Sequence, residues 1–262
     1  PMTSEAHITS FEEYQTMWKR SIEDPAGFWG EIAEEFEWYR KWDEVASWDF
    51  ENGEIKWFDG AQLNVSVNCL DRHIAAGRGE APAISFEADD GEACTYSFNE
   101  VLEQVSRLGN LLRANGVGKG DRVTVYMPMI PELAFTLLAC ARIGAIHSVV
   151  FGGFSADSLA QRIVDCTSDV MVTTDAGIRG GRIIPLKSIG DDAIKIAEEK
   201  GVTVRCVLVN HRAGDGVGSG SPNWVEGRDV DMDAGMASQS TECEPEVMDA
   251  EDPLFILYTS GS

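Results

Sequence analysis

At 262 residues, 44% of them apolar, the chain is long enough to bury a substantial core in one large or two modest domains, which excludes a disordered polypeptide. Its 44 Asp and Glu against 21 Lys and Arg give a formal charge of −23, which argues against non-specific binding to nucleic acid or to an anionic membrane. Six cysteines lie far apart without a Cys-x-x-Cys pair and four histidines stand singly, so no metal site is expected and the thiols read as reduced and mostly buried.

Residues 1–20 are polar and acidic, without the apolar run of a secretory leader. The longest apolar stretch, 133–150, is broken by Arg142, Gly144 and His147, so no membrane span is expected and the cytoplasm is the expected location. Residues 1–60 form a Trp-rich and acidic extension, with Phe11, Tyr14 and Trp18 at helical spacing. Two readings stand for these rings: a stacking or partner surface, or a lid held to the main domain by buried aromatics.

The composition changes near residue 60, and 61–262 read as the main domain. Residues 63–73 suggest a helix, although Val65 and Val67 leave a strand open. Residues 83–86 and 94–96 suggest a hairpin about Asp89-Asp90-Gly91. Ser97 with Glu100 forms a capping box that opens a helix closed by Asn115-Gly116. Strands at 121–127, 147–150, 170–174 and 204–209 then alternate with helices at 132–143, 156–165 and 191–200. This spacing predicts an α/β fold with a largely parallel sheet covered by helices. A polar loop at 211–223 and an acidic stretch at 226–251 lead to a last strand, 254–258.

Three glycine-bearing segments are candidates for chemistry. Phe151-Gly152-Gly153-Phe154-Ser155 leaves a strand and precedes a helix, which suits close approach to a flat or anionic ligand and equally suits a plain turn between two anchoring rings. Arg179-Gly180-Gly181-Arg182 sets two permanent cationic forks about a flexible turn. They suit phosphate groups unless nearby carboxylates such as Asp175 take them. Thr259-Ser260-Gly261-Ser262 follows the last strand with three hydroxyls and a mobile backbone, fit for a phosphate chain or for a solvated turn. His147 reads as a packed residue at the core edge rather than a ligand. No Gly-x-Gly-x-x-Gly follows the first strand, which argues against a nicotinamide-dependent oxidoreductase.

Several of these segments carry a family likeness. Residues 64–73, Met127-Pro128-Met129-Ile130-Pro131-Glu132, Ala139-Cys140-Ala141-Arg142-Ile143-Gly144-Ala145, Phe151 to Ser155, Gly177-Ile178-Arg179-Gly180-Gly181-Arg182 and Ala250 to Ser262 resemble the AMP-forming acetyl-coenzyme A synthetases of the adenylate-forming enzymes. The Trp-rich amino-terminal extension is similar to theirs as well. The resemblance implies a ligase whose substrates are acetate, ATP and coenzyme A, with Mg²⁺ accompanying ATP. It implies that Thr259, Ser260, Gly261 and Ser262 begin the loop for the β- and γ-phosphates. It further implies that Phe151, Gly152, Gly153, Arg179, Gly180, Gly181 and Arg182 bind coenzyme A, with Phe151 and Gly153 flanking its adenine and Arg179 and Arg182 gripping its phosphates. The family's acyl pocket, catalytic lysine and metal ligands have no counterpart in these 262 residues, so no catalytic residue is expected here and the chain alone is expected to make no acyl-coenzyme A. The alternatives are a short coenzyme A or nucleotide-binding module, a gene remnant without catalysis, or a propionate-preferring synthetase.

Self-repulsion at this charge is tolerable where salt screens it, the Debye length falling to about 3 Å at 1 M, so a salt-loving source is expected. Far-UV circular dichroism should show secondary structure lost at moderate salt and regained at molar salt; a spectrum indifferent to salt across that range overturns the expectation.

Overall fold

The computed structural model describes residues 6–89, 91–212 and 223–259, which fall into two compact units. The first runs through Leu63 and includes Val247–Asp252; the second holds Asn64–Glu246 and the residues from Pro253.

In the first unit, helix α1 (Phe11–Glu23) starts where the Ser10 hydroxyl accepts from the Glu13 amide. Helix α2 (Pro25–Ala33) starts where Asp24 accepts from Gly27, with Pro25 supplying a preset φ. Strands β1 (Glu44–Asp49) and β2 (Glu54–Asp59) form an antiparallel hairpin, followed by the short β3 (Gln62–Leu63). Trp38, Trp42 and Phe58 pack with ring centroids 5.2–5.5 Å apart, and the Trp38 indole donates to the Ala33 carbonyl. The aromatic face of α1 behaves differently: the helix buries no residue, and Phe11, Tyr14 and Trp18 are exposed.

The second unit opens with helical turns, partly of the wider π form, at Val67–Asp71 and Ile74–Arg78, so the helix reading of residues 63–73 holds from Val65 onward. Hairpin β4 (Pro82–Glu87) and β5 (Ala93–Ser97) leads into α3 (Phe98–Ala114), whose capping box between Ser97 and Glu100 is formed. Then follow β6 (Arg122–Met127), α4 (Pro131–Arg142), β7 (Ile146–Phe151), α5 (Ala156–Cys166) and β8 (Val170–Thr174). A tight antiparallel pair, β9 (Gly177–Arg179) and β10 (Arg182–Ile184), precedes α6 (Leu186–Glu199), β11 (Cys206–Asn210), β12 (Asp229–Asp231) and α7 (Met232–Ala237). Strand β13 (Met248–Asp249) belongs to the first unit and pairs with β3, and β14 (Phe255–Ile256) returns to the second.

Six strands form one sheet in the order β12-β11-β8-β6-β7-β14, and every pairing in it is parallel. Alternate residues serve opposite faces. Val123, Val125, Val172 and Leu208 join the core under α3 and α4, whereas Tyr126, Met171, Val207 and Val209 join the core under α5 and α6. The chain winds from β6 to β7 on one side and then crosses to β8 on the other, so β6 is the point where the winding reverses.

The structure departs most from the sequence reading at three places. Helix α6 begins at Leu186 rather than near 191, because no side chain caps its first turn and a buried Lys187 interrupts the apolar stripe. The acidic stretch contains β12 and α7, too short for periodicity to show. The last strand contracts to two residues.

Lys187 is fully buried. Its Nζ lies 2.7 Å from Asp191, 2.8 Å from Asp229 and 3.0 Å from the Asn223 carbonyl, and Arg228 joins both carboxylates. Burial raises the Asp229 pKa, but hydrogen bonds from Arg228 and Lys187 outweigh it and hold the carboxyl below its ordinary value. Asp229→Ala takes one of the two carboxylates from the buried Lys187, leaving it Asp191 alone, and should lower the unfolding free energy by about 1.5–3 kcal/mol in urea denaturation; a loss below about 1 kcal/mol contradicts this role.

His147 is 8% exposed, stacks on Phe255 at 5.7 Å and leaves its Nδ1 without a partner; burial lowers its pKa to about 4. Between about pH 4 and pH 6.5 the unfolded chain binds this proton and the folded chain does not. Stability should therefore be full above pH 6.5 and fall as the pH drops towards 4, by up to about 3 kcal/mol from this group. His147→Phe should flatten that slope, measured by denaturation at each pH; an unchanged slope overturns the assignment.

Candidate functional site

The reversal of winding at β6 leaves a crevice at the carboxyl ends of the strands, where the loop leaving β6 runs to one face of the sheet and the loops leaving β7 and β8 run to the other. A cavity of about 360 Å³ occupies it. Pro128 to Ile130 enter it from β6, Phe151 to Gly153 from β7, Gly177 to Arg179 from β8 and β9, and Arg212 from beyond β11; Phe86 to Asp89 form a further wall.

The loop after β7 is fixed at both ends. The Phe154 amide donates to the Phe151 carbonyl, the Tyr126 hydroxyl donates to the Phe154 carbonyl at 2.9 Å, and Ser155 caps α5. Both glycines sit where a side chain would crowd its neighbours. A Cβ on Gly152 would lie 3.2 Å from the Met127 carbonyl oxygen, and one on Gly153 would lie 2.6 Å from the Phe151 ring. Phe151 is 54% exposed, so a ring face is open to a ligand, and Phe154 meets it edge-on at 5.9 Å.

In the hairpin of β9 and β10, Gly180 and Gly181 take φ of +56° and +70°, the backbone of a two-residue turn that places Arg179 opposite Arg182. The Asp89 carboxylate accepts from the Gly180 amide at 2.7 Å and tethers the tip. The Arg179 guanidinium lies 5.6 Å from the Phe151 ring centre. Asp175 does not take the arginines: it is buried and accepts from the amides of Ala176 and Arg212. Among the described residues neither Arg179 nor Arg182 forms an ion pair.

The structure thus brings Phe151, Gly152, Gly153 and Arg179 to one cavity, with Gly180 and Gly181 forming the adjoining turn; Arg182 is exposed and does not line the cavity. Thr259 lies beyond β14 in a shallow depression with Gln161, Arg162, Asp165 and Tyr258. Arg162 bridges the two loops, its guanidinium 4.6 Å from the Phe154 ring centre and 4.8 Å from that of Tyr258. Ser260, Gly261 and Ser262 fall outside the described residues.

Sequence reading did not single out Arg212 or Asp89, which reach the cavity from segments distant in the chain. Nor did it single out the cluster of His211, Asp231 and Asp233, whose ligand-type atoms lie within 4.8 Å of one another and which parallel pairing of β11 with β12 brings together. Those atoms are already engaged: Asp231 caps α7 and meets His211 at 3.1 Å, and Asp233 accepts from the Asn210 side chain and the His211 amide. Four of the six cysteines are buried, with burial pushing the Cys140 thiol up to about 12, while Cys69 and Cys94 are exposed. No helix among the described residues is long and apolar enough to cross a membrane.

Residues 71–262 match the family of AMP-binding enzymes, and residues 14–69 match the acetyl-coenzyme A synthetase N-terminus. The chain is 49% identical over 260 residues to an acetyl-coenzyme A synthetase of Halorhodospira halophila, covering 98% of this chain and 39% of that protein. It is 50% identical over 254 residues to acetyl-coenzyme A synthetase 2 of Pseudomonas putida, covering 96% and 38%. Acetoacetyl-CoA synthetase from Streptomyces lividans superimposes with a TM-score of 0.79 at 26% identity, over 93% of this chain and 35% of that one. The chain therefore spans about two fifths of the length of the curated relatives it matches.

Proposed function

Because the chain belongs to the family of AMP-binding enzymes, we propose that it serves an AMP-forming acetate–coenzyme A ligase and supplies that enzyme's cleft for the coenzyme A nucleotide. In this reaction an acetate oxygen attacks the α-phosphorus of ATP and diphosphate leaves, giving acetyl-adenylate. The sulfur of coenzyme A then attacks the acetyl carbon and the bond to AMP breaks. The observation that carries the proposal is the cavity at the winding reversal, where an exposed ring and an unpaired guanidinium adjoin. Phe151 offers a face to adenine, Gly152 and Gly153 admit its edge against the backbone, and Arg179 and Arg182, about the Gly180-Gly181 turn, hold phosphate oxygens. Thr259, Ser260, Gly261 and Ser262 begin the loop for the β- and γ-phosphates of ATP, where Mg²⁺, when bound, spreads the developing charge.

In the same proposal residues 1–60 form the extension typical of the acetate branch, residues 61–262 form the first part of the adenylating domain, and the site of action is the cytoplasm. No residue of this chain acts as the catalytic acid or base; its part is to bind and orient.

Isothermal titration with coenzyme A tests the cleft. Arg179→Gln should weaken binding about tenfold or more, the effect of removing a charge-assisted hydrogen bond to phosphate. Affinity equal to that of the unaltered chain places coenzyme A elsewhere.

A further inference from the structure

Most cations of this chain are engaged. Arg20, Arg40, Arg107, Arg142, Lys187, Arg205 and Arg228 all meet carboxylates within 3.0 Å. Arg212 is an exception. Its backbone amide donates to Asp175 at 2.9 Å, which fixes the main chain beyond β11 beside the exit of β8. Its guanidinium lies over the Phe86 ring at 5.7 Å and lines the cavity, yet forms no hydrogen bond or ion pair among the described residues, and Nε is sealed from solvent without a partner. Glu132 feels its charge but does not bond to it.

An arginine in a cavity wall, half-buried and unbonded in a chain with a twofold excess of acid, is poised for an anion. Along the carboxyl edge the order β11-β8-β6-β7 sets the exits carrying Arg212 and Phe151 three strand spacings apart, roughly 14 Å. With the arginine side chain extended into the cavity, a stacked adenosine bearing phosphates on its ribose spans that gap. Glu87 and Asp89 line the cavity too, and with Arg179 and Arg212 they leave it formally neutral. Recognition must then come from where the forks point rather than from net charge.

We propose that Arg212 is a further phosphate-binding residue of the cleft, holding a phosphate of the nucleotide whose adenine stacks on Phe151. This rests on the assignment of the cleft to the coenzyme A nucleotide. The probes are adenosine 3′,5′-bisphosphate and adenosine, titrated calorimetrically at one ionic strength into the 262-residue chain and its variants. Arg212→Gln should weaken the bisphosphate about tenfold or more and leave adenosine unchanged, with Arg212→Lys intermediate. Because the guanidinium bonds to no other side chain, thermal melts of the variants should match the unaltered chain. If Arg179→Gln weakens the bisphosphate and Arg212→Gln does not, the role of Arg212 is refuted while the cleft stands. Equal weakening of adenosine and bisphosphate by Arg212→Gln also refutes it, since the change then acts through packing on Phe86. If the unaltered chain fails to bind the bisphosphate, the cleft assignment falls and this role with it.

Discussion

The position of β6 is the constraint on which the second unit depends. As the first strand of a parallel sheet it is flanked by β7 on one side and β8 on the other, so successive crossovers must run in opposite directions from it. The loops at its carboxyl end then have no neighbour between them to fill the gap, and a cavity follows from topology before any side chain is chosen. The residues at that edge adapt to it. Gly152 and Gly153 are small where backbone and ring approach, and the hairpin of β9 and β10 overhangs the opening. The cavity would survive many substitutions; its chemistry would not.

A chain with so few cations spends some of them in its interior. Lys187 and Arg228 hold α6 to the loop before β12, and Arg142 meets Asp71 through two hydrogen bonds and the Cys243 carbonyl through a third. Asn64 plays a similar part without charge, its amide donating to the carbonyls of Ala141, Arg142 and Glu246. These contacts join segments far apart in sequence and fix register at the sheet margin, where apolar packing alone would be less specific. Burial makes each of them costly to break from one side, because the remaining partner has no water to turn to.

The strands and helices that pack on both faces were legible in the sequence, because unbroken apolar runs such as Cys206 to Val209 and the stripe of α3 carry a strong signal. The capping box at Ser97 was legible for the same local reason. The start of α6 was not, since Lys187 sits where an apolar residue would be read, and its fitness for the core depends on Asp229, a partner forty-two residues away. β12 and α7 were hidden by their shortness within an acidic stretch. Of the cavity, the glycine motifs and Arg179 stood out as chemistry, but nothing local marks Arg212 or Asp89: each is an ordinary polar residue beside a turn until the sheet order brings it to the carboxyl edge.

The excess of acid also bears on how an anionic ligand is held. The long-range field of the chain opposes a phosphate, and only screening or a local source of opposite charge offsets it. An arginine supplies that source only if no carboxylate reaches it first. Asp175, the acid closest in sequence to the hairpin, is occupied by two backbone amides, and Asp89 spends an oxygen on the amide of Gly180. The backbone thus competes with the guanidinium groups for nearby carboxylates, and in doing so leaves Arg179 open. A two-to-one excess of acid would otherwise quench such a site, so the bonds that occupy those carboxylates matter to binding as much as the arginine itself.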